Sequence, residues 1–209
     1  MWYMGIDQSY SHSGVVILND DGSIQNVYSI MTSNDFLKFY PNHILDFKKT
    51  KAYEIGLIDD DCKLTKKKKD ITKPEIELLK ISYQDRFSFT TQTLHSIIHD
   101  LPQPITAGIE NISLFSKGAV VDLARLLGAI EHTLQINGIE HQLFPPTAVK
   151  KFARKGNATK DEMISYVPEE DLEILKSYCP TDKTDKLIGL DNLVDAYWIA
   201  KLTYSTYQH

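Results

Sequence analysis

The chemistry available to this sequence lies in a few acidic side chains. Two strings end in an acid in nearly the same context, "GID" at 5–7 and "GIE" at 108–110. A third, "DNLVDAYWIAKL" at 191–202, sets Asp191 and Asp195 four residues apart among apolar residues. Leu193, Val194, Ala196, Ile199, Ala200 and Leu202 recur there at helical spacing, which predicts a largely buried helix. Asp191, Asn192 and Asp195 share one face of it, by their i,i+4 and i,i+3 relations. Two carboxylates about 4 Å apart repel by about 4 kcal/mol at an effective dielectric of roughly 20. A group of them stays ionised only if paired or metal-bound. Arginine partners are few: Arg86, Arg125 and Arg154. Mg²⁺ and Mn²⁺ suit such all-oxygen sites. Two such ions about 3.5–4 Å apart stabilise the attacking and leaving oxygens of an in-line phosphoryl displacement. The competing readings are ordinary. An Asp in the first turn of a helix favours the helix dipole, and an Asp before a Ser-rich turn is often turn chemistry.

The acids need elements that bring them together. Trp2, Met4 and Ile6 alternate with Tyr3, Gly5 and Asp7, the period of a strand. "GVVIL" (14–18) and "SIQNVYSI" (23–30) read as two more strands, joined by the turn "NDDG" (19–22). A helical pattern runs from about Pro74 to His99, followed by a strand at 103–110 and a long helix at 119–138. A strand at 139–144 ends at Pro145-Pro146, and a short helix follows to Lys155, stopped by Gly156. Thr159 with Glu162 has the form of a capping box for another helix. The last helix begins near Asp191.

The expected order is β-β-β-α-β-α-β-α-α-α. This is an α/β fold: a mixed five-stranded sheet, three antiparallel strands and then two parallel ones, flanked by helices. If the "GID" and "GIE" strands are parallel neighbours, Asp7 and Glu110 project at one level near the carboxyl end of the sheet, where α/β ligand sites lie. Gly5 and Gly108 are then expected to leave open space beneath them.

A length of 209 residues suggests one domain, 1–209, with a charged insertion or extended loop at about 35–72. Hydrophobic residues at 42% and charged residues at 24% are ordinary for a globular chain. No apolar run approaches the roughly 20 residues of a membrane helix, and the start lacks the pattern of a signal peptide. Cys62 and Cys179 have no paired spacing and fit a reducing cytoplasm. The net charge of −5 argues against a nucleic-acid partner globally. Local basic clusters at 48–51, 66–69 and 150–160 temper that. His95 and His99 are i,i+4 on a helix but lack the Glu of a zinc-protease pattern, so they read as a surface or packing pair.

"MGIDQSYSHSGVVIL", "GIENISLFSKG", "FPPTAVKKFARKGNATKDEM" and "DNLVDAYWIA" resemble, in order, the blocks of the RuvC family of Holliday-junction resolvases, which are RNase H-like nucleases. The resemblance covers about half of the chain. It implies a homodimer acting on branched DNA, the four-way junction, by paired incisions that leave 5′-phosphate ends. It implies two Mg²⁺ ions per site, or Mn²⁺. Asp7, Glu110 and Asp195 match the family's acids. The family has an acid or histidine where this chain has Asn192; Asp191, one residue earlier, is the carboxylate expected to complete the set, with Asn192 as the neutral alternative. Lys150 and Lys160 match lysines near the scissile phosphate. Lys151, Arg154, Lys155 and Lys117 are expected to contact DNA, and Phe115 to stack at the junction. The small size and divergence suggest a bacteriophage or other viral version; the expected location is the cytoplasm, that of the host if the protein is viral.

Two other functions fit parts of the sequence. "GIDQSYSHSG" also resembles the first phosphate loop of the actin and sugar-kinase superfamily, whose members are about twice as long. Asn192 favours a binder of branched nucleic acid that does not cut. A nuclease for RNA–DNA hybrids would share the same chemistry.

Overall fold

The computed structural model describes residues 1–32, 54–59, 65–78, 82–112, 120–179, 181 and 186–208. Five strands form one sheet: β1 (Trp2–Asp7), β2 (His12–Leu18), β3 (Ile24–Met31), β4 (Ile105–Glu110) and β5 (Glu140–Phe144). Their spatial order is β3-β2-β1-β4-β5. The β1–β2 and β2–β3 pairs are antiparallel, and β1–β4 and β4–β5 are parallel. This is the expected mixed sheet. Asn19 forms the β2–β3 turn, its side-chain oxygen accepting from the N–H groups of Asp21 and Ser23.

The described helices are α1 (Lys73–Leu78), α2 (Tyr83–Asp100), α3 (Val120–Ile136), α4 (Pro146–Ala153), α5 (Lys160–Ser165), α6 (Glu169–Ser177) and α7 (Leu190–Tyr207). Three points differ from expectation. The pattern from Pro74 to His99 divides into α1 and α2, because Ser82 and Asp85 form a reciprocal capping box that starts a new helix. Helix α6 was not anticipated. It follows Pro168 with Glu169, Glu170 and Asp171 in its first turn, a charged start that masks the short apolar pattern behind it. Helix α4 stops at Ala153, short of Gly156.

Alternation along the strands divides the core in two. Met4, Ile6, Val15, Ile17, Ala107 and Ile109 pack on one face with Leu94, Ile97 and Ile98 of α2 and Leu126, Leu127, Ile130 and Leu134 of α3. Tyr3, Val16 and Leu18 pack on the other with Leu193, Val194, Ala196, Tyr197, Ile199 and Ala200 of α7. Among the described residues, no helix is long and apolar enough to cross a membrane.

Of the 35–72 region, residues 35–53 and 60–64 lie outside the described residues, and with them the "KKTK" cluster and Cys62. Lys66 forms an ion pair with Glu75.

Candidate active site

Strands β1 and β4 run side by side in the register Gly5 with Gly108 and Ile6 with Ile109. Asp7 and Glu110, the next residues on each strand, therefore end the two strands at one level. Asp7 also pairs with Gly14 of β2. Residues paired across a sheet share a face, so Gly5, Asp7, Gly14, Gly108 and Glu110 all look toward α7.

The glycines do not leave open space, as the sequence suggested. Helix α7 fills it. A Cβ on Gly5 would lie 2.1 Å from the Ala196 carbonyl oxygen, and one on Gly14 would lie 2.4 Å from that of Asn192. One on Gly108 would meet Thr203 Oγ1 at 2.1 Å. Three missing side chains let a helix rest directly on the sheet. That contact brings the first turns of α7 level with the strand ends.

The result is a cavity of about 300 Å³ lined by Asp7, Gln8, Ser9, Glu110, Pro146, Lys150, Lys160, Met163, Asn192 and Asp195. Five elements or their flanks supply it. Lys150 comes from α4, one turn beyond Pro146. Lys160 opens α5, whose start is fixed by the reciprocal capping box of Thr159 and Glu162. Asn192 is anchored by its Nδ2 donating to the His12 carbonyl at 2.8 Å. Gln8 Nε2 donates to the Glu110 carbonyl at 3.2 Å and ties the two strand ends together.

The electrostatics are those of crowded acids. Burial pushes the Asp7 carboxyl well above its ordinary value, and Asp195 and Glu110 add to the rise. Burial and then Asp195 push Glu110 up to about 7. Burial pushes Asp195 up to about 6, against the lowering effect of Lys160 and Lys150. Asp191 behaves oppositely. Burial would raise it, but its ion pair with Lys160 holds it below the ordinary range.

Asp7, Glu110 and Asp195 offer the hard oxygen donors that divalent cations take. Gln8, on the same wall, has a side-chain oxygen buried with no partner among the described residues. A bound cation or its water would satisfy that oxygen and relieve the repulsion, so the donor set fits a divalent metal. The side chains surround the cavity rather than meet at a point. Among the described residues, no three His, Cys, Asp or Glu side chains form a ready-made metal cluster.

The structure thus brings Asp7, Glu110, Asp195, Asn192, Lys150 and Lys160 together. Asp191 stands beside the cavity and holds Lys160. Lys151, Arg154 and Lys155 are exposed and do not line the cavity. Arg154 lies over the Tyr166 ring at 4.6 Å, and Lys155 pairs with Glu162. Phe115 and Lys117 lie outside the described residues. His95 faces Asn137 across 3.1 Å, and His99 is exposed. Sequence reasoning missed Gln8, Ser9, Pro146 and Met163 as lining residues. The first two follow directly on the strand-ending Asp7. Pro146 is also legible, four residues before Lys150 on one helix.

Thermus thermophilus RuvC superposes on the chain with a TM-score of 0.58 at 17% sequence identity, covering 99% of this chain and 95% of that one. T. thermophilus RuvC in complex with Holliday junction substrate superposes with a TM-score of 0.57 at 16% identity, covering 99% of this chain and 94% of that one. The chain has a RuvC-like fold. No family model and no curated protein matches the sequence. The likeness to these structures lies in the fold, a five-stranded mixed sheet with flanking helices, at 16–17% sequence identity. These comparisons say nothing of a viral source.

Proposed function

We propose that this chain is a divalent-cation-dependent endodeoxyribonuclease that resolves four-way DNA junctions by paired phosphodiester hydrolysis. The observation that carries the reading is the gathering of Asp7, Glu110 and Asp195, from two adjacent parallel strands and a distant helix, around one cavity that also holds two lysines. The RuvC-like fold, which one neighbour displays on a Holliday junction substrate, supplies the substrate class.

In this reading Asp7, Glu110 and Asp195 hold Mg²⁺ or Mn²⁺, two ions per site, with Asn192 and Gln8 offering neutral oxygens from the same wall. When bound, such cations supply an activated water and neutralise charge on the phosphoryl oxygens. Lys150 and Lys160 place ammonium groups at the same cavity, where they stabilise negative charge developing on the phosphoryl group. The water oxygen adds to phosphorus, the 3′ oxygen leaves with a proton, and the products carry a 5′-phosphate and a 3′-hydroxyl. The exposed Lys151 and Arg154, with Lys155, lie on and just beyond the helix that carries Lys150 and would contact the DNA backbone. The acids Asp7, Glu110 and Asp195 of one chain make one such cavity, so paired incision calls for a second copy, a homodimer.

The test is incubation with a synthetic four-way junction, a linear duplex and an RNA–DNA hybrid, each with and without Mg²⁺, resolved on a denaturing gel. The expected result is Mg²⁺-dependent, symmetric cutting of the junction with ligatable ends. A junction that is bound yet left whole in both Mg²⁺ and Mn²⁺ would make the chain a branched-DNA binder. ATP turnover without DNA would favour the kinase-like alternative.

A further inference from the structure

We infer that Asp191 is a positioning residue that works through Lys160, while Asn192 takes the place on the cavity wall; this rests on the nuclease reading above. Asp191 and Asn192 are adjacent in the first turn of α7, yet they engage different partners. Asn192 lines the cavity and is tied to the His12 carbonyl. Asp191 does not line it; its carboxylate accepts from Lys160 Nζ, and Lys160 does line it.

Lys160 needs such a partner. The Thr159–Glu162 capping box fixes its backbone at the start of α5. Its long side chain is among the most rotamer-rich of any residue. Asp195 and Asp7, inside the cavity, also draw on that ammonium. Left unheld, it would settle against the carboxylates that hold the cations and compete for them. Asp191, which does not line the cavity, holds it in an ion pair instead. Asp191 itself sits in the first turn of α7. The contacts run from Asp191 to Lys160 and so into the cavity.

A fourth metal ligand at position 191 would have to enter a cavity that Asp191 does not line. The two roles predict different couplings. If Asp191 acts through Lys160, its removal matters only when Lys160 is present.

The experiment is a double-mutant cycle of Asp191→Asn and Lys160→Ala, read as single-turnover junction cleavage and as Mn²⁺ affinity by calorimetry. Asp191→Asn alone should slow cleavage by about tenfold. In the Lys160→Ala background it should change neither cleavage nor Mn²⁺ affinity. Asp191→Ser, also neutral and shorter, should behave the same way, and a melting curve of each variant guards against a folding defect. A further loss of cleavage or of Mn²⁺ affinity in the Lys160→Ala background, with the wild type active, would overturn this inference alone. A wild type that cuts none of the three nucleic acids would overturn the nuclease reading, and the inference with it.

Discussion

Gly5 of β1 and Ala196 of α7 stand so close that a Cβ on Gly5 would fall 2.1 Å from the Ala196 carbonyl oxygen and 2.3 Å from the Ala200 nitrogen. Both are backbone atoms, so a side-chain rotation cannot relieve the clash. Overpacking of this kind costs about 1–3 kcal/mol, and more where backbone must move. Gly5→Ala should therefore lower the melting temperature. It should also weaken divalent-cation binding, because lifting α7 carries Asp195 away from Asp7. A melting curve with and without Mn²⁺ checks both; an unchanged melt would mean that α7 does not rest on β1 as described.

The acids should be separable from substrate binding. Asp7→Asn, Glu110→Gln and Asp195→Asn each remove a charge from the cavity without removing a basic group. Each should abolish cleavage while a gel-shift assay still finds junction binding. Any of the three that cuts normally in Mg²⁺ does not belong to the active site.

The same burial gives a stability signature. Glu110 titrates near 7 in the fold against an ordinary 4.5. Its folded pKa is raised, so its contribution to stability is fully present below about 4.5 and is lost as pH rises through 7. The loss at pH 8 amounts to about 3 kcal/mol for the metal-free protein. Glu110→Gln should remove this penalty and raise the melting temperature at pH 8 but not at pH 4. Mn²⁺ should stabilise the wild type more at pH 8 than at pH 5, since protonated carboxyls bind cations poorly. Equal melting shifts at both pH values would contradict the assignment.

Much of this site was legible in the sequence, and the failures have physical causes. The matching strings "GID" and "GIE" disclosed Asp7 and Glu110 because strand period and helix-linked order together fix which strand ends can meet. Asp195 was legible as an acid inside an apolar helix. The roles of Gly5 and Gly108 were misread: a missing side chain means either a void or a close neighbour, and only packing decides. The fates of Asp191 and Asn192 were not legible either. They depend on how α7 is rotated on the sheet, which the contacts at Gly5 and Gly14 set. The break between α1 and α2 was present in Ser82 and Asp85 but lay inside a continuous apolar pattern.

Binding to the junction should depend steeply on salt. Lys150, Lys151 and Arg154 gather on and beside α4, and each phosphate they neutralise releases a counterion. A plot of log affinity against log salt should fall, with its slope reduced by about 0.9 for each of these basic residues replaced by Ala if it contacts a phosphate. A slope unchanged by all three replacements would move the DNA surface elsewhere on the molecule.

The central claim is that carboxylates from β1, β4 and α7 converge on a divalent cation. Anomalous diffraction from a crystal soaked in manganese addresses it without any assay. The account predicts anomalous peaks among Asp7, Glu110 and Asp195, lost in Asp195→Asn. A fully soaked crystal with no peak in that cavity, or with peaks only at other sites, would contradict it.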